Sequence, residues 1–327
     1  MRDQKSVKVI IIGAGPIGLA CGVELQKQNI SYLIIEKGCI VNSIFHYPTN
    51  MTFFSTSDRL EIGGVPFISH GVKPTRREAL EYYRRVAESY KMPLKLYETV
   101  DRVSGDDGNF RVSTDKGVYN CEKVVIATGF YNQANLMGIP GEDLPKVKHY
   151  YDEPHPYAEQ RILVIGGGNS AVDVALETYR CGSEVTLVVR EDALKDGVKY
   201  WVRPDIENRI KEGEIKAWFN SEILEIRSKE VVIKTPKGEK VIPNDFVLAM
   251  TGYHPDYSLL NKIGLELAKD EYETPVYDNE THETSIKGIY MAGVVCGGYN
   301  TSKWFIENAR VHAGQIVGDI ASQPVSI

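Results

Sequence analysis

Apolar and polar positions along the chain follow one pattern twice. Residues 7–37 and 161–190 each begin with an apolar run of strand length, which leads into a glycine-rich turn. Apolar residues at a spacing of about 3.6 follow, and then a second apolar run that ends at a charge. Each copy therefore predicts a strand–helix–strand unit of a parallel sheet.

Two helices are predicted outside these copies. Residues 74–90 are amphipathic, and Thr75 with Glu78 three positions later forms a capping-box sequence at the start. The end of the chain predicts a strand over 288–293 and then one helix over 304–322.

Short strands fill the rest. Residues 94–127 alternate as strands do, with a hairpin turn at 105–109, and 215–250 repeat the scheme around a turn at 237–238. The two stretches close on similar apolar segments, VVIATG and VLAMTG. We therefore predict an α/β fold with two Rossmann-like domains, the second inserted into the first: 1–130 with 251–327, and 131–250.

Composition narrows the class of protein. Of 327 residues, 43% are hydrophobic and 25% charged, as in soluble globular proteins. A net charge of -6 disfavours nucleic acid as a partner, and the apolar runs are too short to span a membrane. The N-terminus has no apolar signal segment, and the five cysteines lack metal or disulfide spacing. These features favour a reducing cytoplasm.

The first glycine set has the spacing of a dinucleotide fingerprint. Gly13 permits a tight turn, Gly15 lets the backbone approach a pyrophosphate, and Gly18 lets helix and strand pack closely. Glu36 ends the next strand, where a carboxylate accepts hydrogen bonds from a ribose and repels a 2′-phosphate. This site is predicted to bind FAD or NAD rather than NADP.

The second set ends differently. Gly166, Gly168 and Ala171 repeat the fingerprint, but Arg190 stands where the first copy has an acid. Its guanidinium suits a phosphate and predicts NADPH. Three later cations are, taken singly, better explained as a solvated basic face: Lys195, Lys199 and Arg203. Two sites of opposite selectivity imply that NADPH reduces FAD, which passes the electrons on.

Four motifs resemble those of the thioredoxin reductase-like, two-domain pyridine nucleotide-disulfide oxidoreductases: GAGPIG, VVIATG, GGGNSA with Arg190, and TGYHPD. Over residues 35–63, and in the motifs MTGYHPD and GIYMAGVV with FIENARVHAG, the chain is similar to the bacillithiol disulfide reductase (YpdA-type) group. The resemblance covers essentially the whole chain. It implies FAD, NADPH and reduction of an oxidised low-molecular-weight thiol. It also accounts for the absent Cys-x-x-Cys, which this group lacks and which residues 149–152 replace here.

Two positions depart from related patterns. Thioredoxin reductases carry Gly-Asp where this chain has Gly293-Val294, a departure that the closer group shares. That group commonly has cysteine in the first fingerprint, where Ile17 stands here. Isoleucine forms no mixed disulfide, so another cysteine acts, none is needed, or the substrate differs.

Candidates for the chemistry are weak. Cys296 lies near the flavin if Val294 does, whereas Cys21 and Cys39 are weaker thiol candidates. His46 is a candidate proton donor, because the resemblance brings its loop towards the flavin. In the segment HYYDEPHPY (149–157), His149 and Asp152 form an acid–base pair, or the segment is an interdomain linker with surface aromatic residues.

Cofactor contacts are expected at the fingerprints, the closing turns and the motifs of the resemblance. For FAD these are Gly13, Gly15, Pro16, Ile17, Gly18, Glu36, Lys37, Tyr47, Val100, Ala127, Thr128, Gly129, Gly293 and Val294. For NADPH they are Gly166, Gly168, Asn169, Ser170, Arg190 and Gly252.

Three other functions use a similar pattern. A ferredoxin or flavodoxin–NADP reductase shares the fold and lacks the dithiol, and its partner is a redox protein. A flavin monooxygenase pairs two fingerprints, although its F-x-G-x-x-x-H signature is absent before His149. A non-catalytic nucleotide sensor is the third. A homo-oligomer is the general expectation for such enzymes.

Overall fold

The computed structural model describes residues 6–323. This range contains both strands and helices. In chain order the strands are β1 (Ser6–Ile12), β2 (Tyr32–Ile35), β3 (Leu94–Lys95), β4 (Val100–Asp106), β5 (Asn109–Thr114), β6 (Val118–Ile126), β7 (Gln133–Ala134), β8 (Val147–Lys148), β9 (Arg161–Ile165), β10 (Glu184–Val188), β11 (Lys216–Trp218), β12 (Glu222–Ile226), β13 (Glu230–Thr235), β14 (Gly238–Pro243), β15 (Phe246–Ala249), β16 (Tyr253–His254) and β17 (Ile289–Met291).

The helices lie between these strands and at the end of the chain. They are α1 (Pro16–Lys27), α2 (Asn42–Phe45), α3 (Ser57–Leu60), α4 (Arg76–Ser89), α5 (Asn169–Arg180), α6 (Arg203–Lys211), α7 (Ser258–Ile263), α8 (Ile306–Ala309) and α9 (Val311–Ser322), with 3₁₀ turns at His155–Tyr157 and Val294–Gly297. Among residues 6–323, every helix is too short or too polar to cross a bilayer.

The chain divides into two compact units. Of the described residues, 6–45, 51–133 and 253–323 form the first unit, and 46–50 with 134–252 form the second. The short segment 46–50 thus groups with the second unit, where the Thr49 N–H donates to the Asp152 carbonyl over 2.8 Å.

A seven-stranded sheet organises the first unit. Its order is β3-β2-β1-β6-β5-β4, with β17 paired to β6. The long strand β6 pairs with antiparallel β5 over its first half and with parallel β17 over its second half. Apolar side chains of β1, β6 and β17 form one continuous core with Tyr257 and Leu260.

The second unit contains two sheets. The first is parallel, in the order β11-β10-β9-β15-β8, and the second is an antiparallel meander of β12, β13 and β14. One face of the parallel sheet packs against α5, and residues from the other face join the core under the meander. The predicted α/β fold with two Rossmann-type units is confirmed.

Predictions that depend on residues close in sequence are confirmed. The Thr75 hydroxyl accepts the Glu78 N–H and the Glu78 carboxylate accepts the Thr75 N–H, which confirms the capping box. The two predicted hairpin turns are also present, between β4 and β5 and between β13 and β14.

Two predictions were wrong. The final helix is not continuous: α8 ends before Arg310, and α9 begins after it. In the segment 149–157 the prediction of surface aromatic residues holds for Tyr150 but is wrong for the two other tyrosines. Tyr151 and Tyr157 are 2% and 7% exposed and belong to the core of the second unit. The Tyr151 hydroxyl donates to Glu177 over 2.9 Å, and His149 lies 3.4 Å from Glu142. The structure thus pairs His149 with Glu142, and its pairing with Asp152 stays a prediction.

We expect the substitution Thr75→Ala to lower the free energy of unfolding by about 1 kcal/mol, because it removes the side-chain acceptor from the first turn of α4. Urea denaturation followed by circular dichroism measures this change. Thr56→Ala is the control, because Thr56 precedes α3 without capping its backbone. Equal losses in both variants would contradict a specific contribution from the cap.

Candidate cofactor-binding sites

The ends of four strands lie at one level in the first unit. Ile12 of β1 pairs with Ile126 of β6, which also pairs with Met291 of β17. The N–H of the residue that follows each of three strands continues the hydrogen-bond ladder. Gly13 donates to the Ile35 carbonyl, Ala127 to that of Ile12, and Ala292 to that of Ile126, over 2.8–2.9 Å. The residues after these strands therefore meet at the carboxyl edge of the sheet, which is where ligands bind in open α/β sheets.

Close packing at this edge explains two of the three glycines. Gly13 has φ +110°, and a Cβ there would lie 2.4 Å from the Ala127 carbonyl oxygen. At Gly18 a Cβ would lie 2.0 Å from the Gly13 oxygen. Both positions require glycine so that β1, α1 and β6 can approach one another.

Gly15 differs from its neighbours, because a Cβ there would meet no atom within 4 Å. It is the N-cap of α1, and its own extended backbone is one that other residues adopt. Pro16 opens the helix, where its missing N–H costs nothing. Gly15 thus combines open space with a position at the start of a helix, and this combination suits a pyrophosphate.

Glu36 is held in place by the backbone around the fingerprint. Its side chain is 8% exposed, and its two oxygens accept the N–H groups of Ala14 and Gly38, each over 2.8 Å. Each carboxylate oxygen retains a lone pair for a further donor. The buried Glu98 follows β3, and its N–H donates to the Glu36 carbonyl. Sequence reasoning missed Glu98, for which no motif gave a signal.

The closing turns supply further polar groups. Thr128 and Gly129 follow β6, and the buried Thr128 hydroxyl oxygen has no partner among the residues that the structure describes. Gly293 (φ +83°) and Val294 follow β17, and a Cβ on Gly293 would lie 3.3 Å from Ile17. The backbone of these turns and the unpaired Thr128 hydroxyl fit a dinucleotide along the edge.

Other predicted contacts lie elsewhere. Lys37 is exposed directly after Glu36, and Val100 starts β4 two residues after Glu98. His46 is exposed and Tyr47 half-buried, and both belong to the second unit rather than to the unit with the fingerprint. Their roles at the flavin stay predictions.

Four of the five cysteines, all but the exposed Cys181, are poor nucleophiles in this structure. Cys296 and Cys21 are fully buried, and burial raises the pKa of both thiols, that of Cys21 to about 12. Burial also raises the pKa of Cys121 to about 12 and, less strongly, that of the half-buried Cys39. A thiol attacks as its thiolate, which these surroundings disfavour.

The second unit repeats the edge geometry. Gly166 has φ +129°, its N–H donates to Val188, and a Cβ would lie 2.6 Å from the Met250 oxygen. Gly168 is the N-cap of α5 and is open, with only the Lys195 side chain 3.9 Å from the Cβ position. The exposed Ser170 lies in the first turn of α5, and Gly252 (φ +96°) follows the closing strand β15.

Hydrogen bonds join the loop after β10 to the glycine-rich turn at the start of α5. The Asn169 side chain donates to the Gly197 carbonyl over 2.9 Å and accepts the Lys199 N–H over 2.8 Å. Arg203 donates to the Lys195 carbonyl over 2.6 Å. These bonds give Asn169 and Arg203 structural roles, whereas the Lys199 ammonium pairs with Asp173 over 2.7 Å.

Arg190 lies two residues after the end of β10 and is exposed. Its side chain is 76% exposed, and its guanidinium lies 3.6 Å from the Glu191 carboxylate. Such an exposed pair contributes little energy. The guanidinium is therefore accessible to a phosphate at the same edge as Gly168.

Comparisons with known proteins agree with this geometry. A sequence model of the family described as pyridine nucleotide-disulphide oxidoreductase matches residues 10–293. The chain is 45% identical over 318 residues to bacilliredoxin reductase Bdr of Bacillus subtilis strain 168, covering 97% of this chain and 98% of that protein. Its structure is similar to that of bacillithiol disulfide reductase Bdr (YpdA) from Staphylococcus aureus, with a TM-score of 0.94 and 41% identity over 97% and 98% of the two chains. Bdr (YpdA) from Bacillus cereus gives a TM-score of 0.94 and 42% identity over 98% and 100%.

We expect Gly15→Ala to weaken FAD binding about 10- to 100-fold, because the added methyl group occupies the space assigned to the pyrophosphate. The protein should stay folded, because no protein atom fills that space. Titration of the flavin-free protein with FAD, followed by flavin fluorescence, measures the dissociation constant. Gly117→Ala is the control, since that Cβ also meets no atom within 4 Å but lies in the turn before β6. An unchanged affinity in Gly15→Ala would contradict the placement of the pyrophosphate.

Proposed function

Because the chain belongs to the pyridine nucleotide-disulphide oxidoreductase family, we propose that it is an FAD-dependent NADPH oxidoreductase that reduces a low-molecular-weight disulfide, bacillithiol disulfide. The observation that carries this proposal is the pair of fingerprint edges with opposite charges, Glu36 in one unit and Arg190 in the other. The names of the similar Bdr proteins support the substrate.

The first edge would hold FAD. The open side of Gly15 and the first N–H groups of α1 suit the pyrophosphate, and Glu36 would accept from a ribose. The Thr128 hydroxyl and the Val294 N–H, in the turns after the neighbouring strands, would offer further polar groups. Bound FAD supplies a two-electron carrier between a nicotinamide and a disulfide.

The second edge would hold NADPH. Gly168 at the start of α5 suits the pyrophosphate of the dinucleotide, and Arg190 would bind the 2′-phosphate. The loop fastened by Asn169 holds Lys195 beside Gly168, so a second cation is available to the phosphates.

We propose that the disulfide is reduced without a protein thiol. The pKa values of Cys21, Cys121 and Cys296 are all raised by burial, and Ile17 fills the fingerprint position. The exposed His46 stays the candidate proton donor for a leaving thiolate. None of the five cysteines is in a disulfide, which supports a reducing cytoplasm as the location.

The test of this function is anaerobic oxidation of NADPH by the flavin-loaded protein, with bacillithiol disulfide as the acceptor. We expect multiple turnovers and release of free thiol in a ratio of about two thiols per NADPH, because a disulfide takes up two electrons. A ferredoxin serves as the parallel acceptor. Rapid ferredoxin reduction without turnover of the disulfide would contradict the proposal.

We expect Arg190→Gln to raise the KM for NADPH about 10- to 100-fold and to leave the KM for NADH unchanged, because only NADPH carries the 2′-phosphate. Steady-state kinetics with both nucleotides measures this difference. Arg227→Gln is the control, since Arg227 is a half-exposed arginine of the same unit that pairs with Glu225 and Glu230. Equal rises for both nucleotides would show that Arg190 does not recognise the 2′-phosphate.

Cys296→Ala should retain turnover within about twofold, because a buried, protonated thiol acts as a small apolar side chain. Single-turnover reduction of the disulfide measures this, and Cys181→Ala provides the exposed control. A loss of tenfold or more, at unchanged flavin content, would identify Cys296 as the attacking thiol.

A further inference from the structure

Three buried side chains lie behind the Gly293–Val294 turn. His282, Cys296 and His312 are each at most 2% exposed. The two imidazole rings have centroids 4.1 Å apart, and the Trp304 ring meets the edge of His312 at 4.5 Å. All three side chains belong to the first unit, and the motifs that identified the cofactor sites assign them no role.

One of them is bonded directly to the turn. Ala292 makes the last sheet bond of this strand, to Ile126, so the Gly293 N–H is the first without a strand partner. The Nδ1 atom of His312 accepts this N–H over 3.2 Å, in a buried position. The peptide that follows is held separately, because the Gly293 carbonyl accepts the Cys296 N–H over 3.2 Å in the 3₁₀ turn. His312 thus holds the peptide between the strand and this turn.

This bond fixes the tautomer of His312. An accepting Nδ1 carries no proton, so the proton of the neutral ring is on Nε2. Burial, together with the smaller effects of the neighbouring His282 and Lys303, lowers the pKa of His312 to about 3, so the ring stays neutral near pH 7. The Nε2 atom of His282 faces the Oε1 atom of Gln315 over 3.2 Å, which indicates that it is a donor.

The same tautomer argues against a metal ion. One potential ligand atom of each of the three residues lies within 4.8 Å of the others. A histidine that binds a metal needs a lone pair on the binding nitrogen and normally donates from the other one. His312 accepts with Nδ1 and carries its proton on Nε2, so a metal there would require the bond to Gly293 to break.

The Gly293–Val294 turn has no polar side chain that could contact a ligand. Val294 has no polar atom in its side chain, so Gly293 and Val294 offer only backbone groups to a ligand at this edge. His312 accepts the Gly293 N–H and the Gly293 carbonyl accepts from Cys296, so the direction of the Val294 N–H depends on how the chain leaves the strand at Gly293. Ile17 packs on one side of Gly293, since a Cβ there would lie 3.3 Å from it, and His312 bonds its N–H.

We propose that His312 is a positioning residue for the flavin: by accepting the Gly293 N–H it holds the Ala292–Gly293 peptide, from which the Gly293–Val294 turn starts. This inference rests on the proposed FAD site. α9 carries His312 in its first turn and packs against α1, the helix that follows the fingerprint. Arg310 fixes the start of α9 by donating to the carbonyls of Asp58 and Glu61, each over 3.0 Å.

The test compares His312→Leu with His312→Asn. Leucine removes the acceptor, whereas the Oδ1 atom of asparagine replaces Nδ1 at the same distance along the side chain. We expect His312→Leu to weaken FAD binding about tenfold and to change the visible flavin spectrum, as loss of one buried hydrogen bond predicts. His312→Asn should restore FAD binding to within about threefold of the native protein.

His282→Leu is the matched control, because it removes a second buried imidazole from the same cluster without touching Gly293. We expect it to lower the melting temperature as His312→Leu does and to leave the FAD affinity within about twofold. Since His312 is neutral well above its low pKa, the difference between His312→Leu and the native protein should not vary between about pH 6 and pH 8.

Several outcomes would overturn the inference. One is an unchanged FAD affinity in His312→Leu; others are equal effects of His312→Leu and His282→Leu, or an asparagine variant that behaves like the leucine variant. One equivalent of zinc bound to the native protein and lost in His312→Leu would also overturn it, since the metal would occupy Nε2. A native protein that does not bind FAD would overturn both this inference and the proposed function, whereas the other outcomes leave the function intact.

Discussion

The arrangement of the first unit depends on the level at which its parallel strands end. The bonds from Gly13 to Ile35, Ala127 to Ile12 and Ala292 to Ile126 extend one ladder by a single N–H beyond the sheet. This ladder leaves room for α1 only if Gly13 and Gly18 have no side chains, because both Cβ positions lie within 2.4 Å of a carbonyl oxygen. The glycines therefore set the approach of helix and sheet, and the opening beside Gly15 follows from it.

Much of this edge was predictable because its signals are local in sequence. The spacing of the glycines and the position of Glu36 after β2 follow from the length of one strand–helix–strand unit. The capping box at Thr75 and the hairpin turns depend on residues a few positions apart. By contrast, the contacts of Glu98 with Glu36 and of His312 with Gly293 join elements distant in sequence, and no spacing relates them to the fingerprint.

The segment 149–157 shows why the other error arose. Its prolines and aromatic residues have no helical or strand period, so it was interpreted as an exposed connection. In the structure Tyr151 and Tyr157 are buried by α5, β9 and β10, which come later in the chain. Tyr151 also meets the buried end of Glu177, and burial raises the pKa of both groups. Burial of an irregular segment is a tertiary effect that its own composition does not contain.

The two fingerprint edges differ in how far each is organised before a ligand binds. Glu36 is buried and held by the N–H groups of Ala14 in the fingerprint turn and of Gly38, so its orientation requires no further ordering. Arg190 is exposed and only weakly paired with Glu191, so a phosphate must order a long side chain each time it binds. Preorganisation favours tight retention of a ligand, and the cost of ordering favours exchange. This difference is what a relay needs, since the flavin must stay with the protein through many turnovers whereas the nicotinamide nucleotide must leave after each one.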